Sequence, residues 1–182
     1  MEAGISATIA GSQPLAVPSE AETFAALYER CFTRVYGYVA SLLRDRSAAE
    51  DVTAQAFERA YRKRSSYRAG RGSAEAWLFG IARNAALDEL RRRRRQAPLD
   101  AEPEDRTLPG PDEQADLALK RDVVRAALAT LDARDRDLVA LKFAGGLSNA
   151  EIARVLDTTE SNVGTRLHRT VTKLRKACDE LA

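Results

Sequence analysis

One stretch near the C-terminus, Leu147 to Arg169, leaves little freedom in how this chain folds. It reads as two helices joined by a tight turn. Ser148 and Glu151 form the S-x-x-E pattern in which two side chains satisfy two free backbone N–H groups at a helix start. Ala150, Ile152, Ala153 and Leu156 give that helix an apolar side. Asp157 falls where the chain must turn sharply, and aspartate tolerates left-handed backbone better than most residues. Thr159 is placed to cap the helix that follows.

The second helix has two faces. Val163, Leu167, Val171, Leu174, Cys178 and Leu181 recur at helical spacing and make an apolar stripe. Opposite them, at roughly 100° per residue, lie Asn162, Thr165, Arg166, Arg169, Lys173 and Lys176. The earlier residues are types that read base edges, and the later ones are types that hold phosphates. A helix-turn-helix sets the N-terminal part of its second helix in the DNA major groove, so the order suits DNA. The plainer reading is an amphipathic surface helix with a solvated basic face. The capped first helix, the short turn and the polar-then-basic order weigh against it.

A chain of 182 residues that is 45% hydrophobic has room for one or two small domains, each with a core. The net charge of +2 conceals an uneven distribution. Residues 1–95 carry 16 Lys/Arg against 11 Asp/Glu, residues 96–116 carry 1 against 7, and residues 117–182 carry 12 against 9. Two basic modules flank an acidic joint, a pattern that suits a polyanionic partner. Cys31 and Cys178 lie far apart on apolar helical faces and read as reduced thiols. With one histidine, His168, and no C-x-x-C, no metal site and no cofactor is expected. No apolar run reaches membrane-spanning length and no secretory signal is evident, so a cytoplasmic protein is expected.

Residues 1–20, rich in Ala, Gly, Ser and Pro, read as a flexible leader. A strong helix follows, with Phe24, Leu27, Tyr28, Cys31, Val35, Tyr38, Val39 and Leu42 on its apolar side, and Arg44-Asp45-Arg46 ends it. Ser47 and Glu50 read as a second capping box. The helix they open starts acidic at Glu50 and Asp51 and ends basic at Arg62, Lys63 and Arg64, which complements the helix dipole. Val52, Ala56, Phe57, Ala60 and Tyr61 supply its apolar surface. Ser65 to Ser73 is a loop by its Gly and Ser content, with an aromatic and two arginines that would suit single-stranded nucleic acid or plain exposure. Ser73 caps a third helix, whose buried side is Trp77, Leu78, Ile81 and Ala85. That helix ends in five consecutive arginines, Arg91 to Arg95, which repel one another unless a polyanion is near.

Periodicity vanishes over residues 96–116, which hold Pro98, Pro103, Pro109 and Pro111, and returns from Leu117 with Leu119, Val123, Val124, Ala127, Leu128 and Leu131. Asp132 and Asp135 can start the next helix, in which Leu138, Val139, Leu141 and Phe143 pack and which Gly145-Gly146 ends. No strand is expected. The fold class is all-α: two small helical domains, 21–95 and 117–182, joined by a flexible acidic linker over 96–116.

Taken in order, these residues resemble a known family. Ala48-Ala49-Glu50-Asp51-Val52, then Trp77-Leu78-Phe79-Gly80-Ile81-Ala82-Arg83-Asn84 and an arginine run, are followed by Leu131-Asp132-Ala133-Arg134-Asp135-Arg136 and the Gly146-Leu147-Ser148 helix-turn-helix. The chain resembles a bacterial sigma factor of the extracytoplasmic function group, which has only domains two and four. The resemblance implies that the chain binds core RNA polymerase and directs it to promoter DNA. It implies polymerase docking through Glu50, Asp51, Gln55, Phe57 and Arg59. It implies capture of an unstacked base of the −10 element by the loop from Ser65 to Ser73 and the helix beyond, through Tyr67, Arg68, Arg71, Asn84, Arg91 and Arg92. It implies reading of the −35 element by Ser161, Asn162, Thr165, Arg166, Arg169 and Lys173. It also implies an anti-sigma factor as a further partner, which nothing in the sequence identifies. The chain departs from the family at Asp157-Thr158, where Gly and an apolar residue are usual, and at Gly164, where Lys or Arg is usual. Glycine weakens a helix by about 1 kcal/mol and removes a DNA-facing side chain.

Two other classes of function compete. One is a stand-alone helix-turn-helix regulator acting without polymerase docking, for which a palindromic site is expected. The other is an enzyme such as a nuclease. The sequence lacks a phosphate-cradling glycine loop and a metal cluster, and Glu50-Asp51 sit at a helix start where acids are stabilising anyway. No catalytic residue is assigned.

Overall fold

The computed structural model describes residues 20–96 and 115–181, with side chains described for 24–96 and 120–180. All but the ends of the expected leader and linker lie outside the described residues. Seven α-helices make up the described chain, and no strand occurs among the described residues. None of the described helices is long and apolar enough to cross a membrane.

Helix α1 (Glu20–Leu43) runs until Arg44, whose φ of 50° is left-handed and breaks it. Asp45 then caps α2 (Arg46–Arg62), its carboxylate accepting the Ala48 N–H at 3.0 Å. The expected Ser47–Glu50 box does not form, because Asp45 stands at the joint itself and starts the helix earlier. Glu50 and Asp51 consequently fall in the second turn, where the helix dipole supports them less. Helix α3 (Ala74–Gln96) is capped by Ser73, whose Oγ accepts the Ala76 N–H at 3.1 Å. In the C-terminal half, α4 (Ala115–Ala129) packs on α7 (Glu160–Leu181), and α5 (Ala133–Val139) starts from an Asp132 cap that accepts the Asp135 N–H at 2.7 Å. A wide π-helical turn, Ala140–Ala144, extends α5, and α6 (Asn149–Val155) precedes α7.

The two groups of helices, α1–α3 and α4–α7, share one cluster of buried residues. Leu27, Cys31, Val35, Tyr38, Val39, Leu78 and Phe79 come from the first group, and Leu138, Leu141, Leu147, Ile152 and Val163 from the second. Each large apolar side chain so buried contributes about 1.5–3 kcal/mol. The buried Cys31 thiol is pushed up, by desolvation first and by Glu75 second.

Polar contacts join the groups as well. Arg34 of α1 donates from Nε to the Gly145 carbonyl at 2.8 Å and from Nη2 to that of Gly146 at 3.3 Å. Its Nη1 donates to Glu75 at 3.1 Å. A Cβ at Gly145 would stand 2.6 Å from the Leu141 carbonyl and 2.9 Å from the Phe79 ring, and Gly146 has φ 62°, so this turn needs both glycines. Deeper in the seam, Asp137 of α5 is 5% exposed. Its Oδ1 accepts the Tyr38 hydroxyl at 2.8 Å and its Oδ2 accepts Arg83 Nε at 2.7 Å. Burial, followed by the Asp137 charge, lifts the Tyr38 phenol well above its ordinary range.

Four residues expected on apolar, packed faces are exposed. Tyr28 is 42% exposed, Tyr61 is 43% exposed, Val124 is 49% exposed and Phe143 is 66% exposed. Tyr28 leans on Phe57 and Phe32 at ring-centroid distances of 4.8 and 5.2 Å, so α1 carries aromatics outward along its flank. Phe143 sits in the π-turn, which rotates it off the face that regular helical spacing predicts.

Candidate nucleic-acid interface

The helix-turn-helix is built as its sequence predicts. Ser148 Oγ accepts the Glu151 N–H at 3.2 Å, and Glu151 Oε2 accepts the Ser148 N–H at 2.9 Å. Asp157 takes a φ of 52°, and the Thr158 N–H closes the turn on the Ala153 carbonyl at 2.9 Å. Thr159 Oγ1 then accepts the Asn162 N–H at 3.2 Å and caps α7.

Helix α7 buries Val163 and half-buries Leu167, Val171, Leu174 and Cys178. Thr170, which sequence patterning missed, is 1% exposed; its hydroxyl donates to the Arg166 carbonyl at 2.9 Å. Ser161, Asn162, Thr165, Arg169 and Lys173 are exposed on the other side. Asn162 Nδ2 donates to Thr158 Oγ1 at 3.3 Å. A Cβ at Gly164 would meet only the Asn149 amide at 3.8 Å, an ordinary contact, so packing does not require glycine here.

Arg166 is not free. Its Nε donates to Asp135 Oδ1 at 2.7 Å and its Nη2 lies 3.6 Å from Asp132. Lys173 Nζ stands 3.5 Å from the other oxygen of Asp135. Asp135 is 5% exposed, a depth that its place at a helix start does not by itself predict. Its place among Leu131 and Leu138, on one apolar side of α5, was the available signal, since an acid there needs a charged partner.

The loop of the N-terminal group is tighter than its composition suggests. Arg64–Ser66 and Ala69–Arg71 form short 3-10 turns. Tyr67 is half-buried: its ring lies 5.6 Å from that of Trp77 and its hydroxyl donates to the Gly72 carbonyl at 3.0 Å. It anchors the loop and does not project from it. Arg68 Nη1 donates to the Ser65 carbonyl at 2.7 Å, while Arg71 and Asn84 are exposed.

The arginine run is partly neutralised along α3. Arg91 pairs with Asp88 at 3.0 Å, and Arg92 and Arg93 pair with Glu89 at 2.7 and 2.8 Å. Arg93 also reaches Asp45 at 3.2 Å. Hydrogen bonds from Arg92 foremost, then from Arg93, hold the Glu89 carboxyl at about 2 against its burial. Arg94 and Arg95 are exposed at the helix end.

On α2, Glu50, Asp51, Gln55 and Arg59 are exposed, and Glu50 pairs with Arg46 at 3.0 Å. Phe57 is 5% exposed, so it supports this surface from beneath. The exposed aromatics nearby are Tyr28, Phe32 and Tyr61. Among the described residues no cluster of three or more His, Cys, Asp or Glu is arranged to hold a metal ion.

Known proteins match both halves of this arrangement. The family model for Sigma-70 region 2 matches residues 27–96, and that for Sigma-70, region 4 matches residues 121–174. The ECF RNA polymerase sigma factor SigK of Mycobacterium ulcerans is 32% identical over 167 residues, covering 88% of each chain. SigL of Mycobacterium tuberculosis is 34% identical over 171 residues, covering 91% of this chain and 94% of that one. Among solved structures, the sigma factor RpoE in complex with the anti-sigma factor NepR from Bartonella quintana superposes with a TM-score of 0.71 at 22% identity, covering 86% of this chain and 97% of that chain. CnrH in complex with the cytosolic domain of CnrY gives a TM-score of 0.64 at 25% identity, covering 86% and 88%. With two such relatives aligned over most of their lengths, and both regions present in order, the chain belongs to the extracytoplasmic function (ECF) group of RNA polymerase sigma factors.

Proposed function

We infer that this chain binds core RNA polymerase and directs it to promoters, acting by recognition and without chemistry of its own, in the cytoplasm. The observation that carries the reading is the pairing, in one chain, of a region 2 match over α1–α3 with a region 4 match whose second helix exposes Asn162, Thr165 and Arg169. Helix α7 then reads the −35 element with Ser161, Asn162, Thr165, Arg166 and Arg169, and Lys173 stands further along the helix. The loop around Arg68 and Arg71, with Asn84 and the arginines of α3, serves the −10 element. Tyr67 holds that loop in shape. Glu50, Asp51, Gln55 and Arg59 of α2 form the docking surface for polymerase, on a base of Phe57.

Size adds a requirement. Promoter elements about 25 base pairs apart lie about 85 Å apart along B-DNA. A compact chain of this length has a radius of gyration of about 16 Å. The joined arrangement of α1–α3 and α4–α7 therefore cannot touch both elements at once, and the promoter-bound form has the two groups separated. An anti-sigma factor, the partner of RpoE in its solved complex, is a natural ligand for the joined form.

The test is co-elution of the full chain with bacterial core RNA polymerase. The wild type is expected to co-elute, and a variant with Glu50 and Asp51 both changed to Lys is expected not to. A folded wild type that stays off core polymerase overturns the reading.

A further inference from the structure

Asp135 presents a buried charge in an unusual place. It lies on α5, next to the helix that reads DNA, and both of its oxygens are occupied by cations of that helix. Arg166 is 42% exposed and Lys173 is 65% exposed, whereas the Asp135 side chain is 7% exposed. The acid is thus the fixed member and the two cations swing to it. Asp132 adds a second carboxylate at 3.6 Å from Arg166. Arg169, one turn from Arg166, has no carboxylate partner among the described residues. Cations of one helix face are therefore of two kinds, those already neutralised and those open to DNA.

We propose that Asp135 is a positioning residue for promoter readout: it fixes the Arg166 guanidinium in one orientation and withholds the charge of Lys173 from unspecific phosphate. The proposal rests on the sigma-factor reading and deepens it. A mobile cation binds any phosphate and raises affinity for every sequence equally. A guanidinium held at Nε keeps its remaining donors aimed one way, which favours a defined contact over a random one. Asp135 thus trades general affinity for discrimination. Each phosphate neutralised adds about 0.9 to the slope of log K against log salt, so the trade is measurable as a slope.

The experiment uses the full chain in two formats. Binding of an unselected duplex is followed against salt, and the chain with core polymerase is used to enrich a promoter library with a randomised −35 region. In Asp135→Asn the slope is expected to steepen by about one and the preference for the wild-type motif to fall about tenfold. Lys173→Gln, which leaves the buried acid untouched, is expected to leave the slope unchanged because that charge is already spent. In an Arg166→Gln background, adding Asp135→Asn is expected to change the motif preference no further. Parallel loss of specific and unspecific binding at constant slope in Asp135→Asn, the mark of mere structural support, overturns the proposal. So does a slope that becomes shallower by about one in Lys173→Gln. If the wild type neither co-elutes with core polymerase nor enriches a motif, the parent reading fails, while the two slopes still decide the pairing.

Discussion

Asp135 and Asp137 stand two residues apart on the same short helix, and each is 5% exposed. At roughly 100° per residue they point to nearly opposite sides of α5. Asp135 faces its own group of helices and holds Arg166 and Lys173 of α7, partners that keep much of their surface in water. Asp137 faces the other group and holds the Tyr38 hydroxyl and Arg83, where Tyr38 is fully buried. The residue type and burial are the same, but the surroundings of the partners differ. The value of a buried acid is set by whether its partners can return to solvent when it is removed.

Substitutions can break this comparison, in order of expected size. Asp137→Ala strands a buried hydroxyl and a half-buried guanidinium, and is expected to cost about 3–4 kcal/mol in the midpoint of urea unfolding. Tyr38→Phe leaves Asp137 its arginine but removes one buried hydrogen bond, for about 2 kcal/mol. Asp135→Ala frees two cations that water can take over, so it should cost only about 1 kcal/mol. A larger loss for Asp135→Ala than for Asp137→Ala, on the same denaturant series, would reverse the argument. The smallest change is a gain: Gly164→Ala touches neither acid, has ordinary space for its methyl, and is expected to stabilise α7 by up to about 1 kcal/mol.

How much of this was readable beforehand depended on the range of the interaction. Local hydrogen-bond patterns were legible: the Ser148–Glu151 box, left-handed Asp157, and the Ser73, Asp132 and Thr159 caps all span three or four residues. The Ser47–Glu50 box failed within that range because two candidate caps competed, and left-handed Arg44 placed Asp45 at the helix start. Helical spacing located most of the core but could not foresee a π-turn, which throws Phe143 outward. It also could not say which side of α1 another helix would leave open, so Tyr28 is exposed and Phe57 is covered. The partners of Asp135 and Asp137 lie 31 and more residues away, or across the seam, and no local pattern encodes them. For the candidate site, residue types on α7 were legible, whereas the neutralisation of Arg166 was not.

Ser73 does more than cap α3. While its Oγ accepts the Ala76 N–H, its hydroxyl donates to Glu151 Oε1 at 2.7 Å, so the carboxylate that opens α6 also lies against the start of α3. Two helix N-termini share one counter-ion. Burial is the largest influence on Glu151 and opposes its ionisation, but hydrogen bonds from Ser73 and Ser148 outweigh it and leave the carboxyl below its ordinary value. A carboxyl held more acidic in the folded chain binds fewer protons there than in the unfolded chain, where neither serine holds it. The folded state therefore gains from Glu151 above the ordinary value of 4.5 and loses this contribution as pH falls below it. Acid works at the point where both halves of the molecule start a helix, and Glu151→Gln should blunt the acid-side loss of stability in a pH series of urea midpoints.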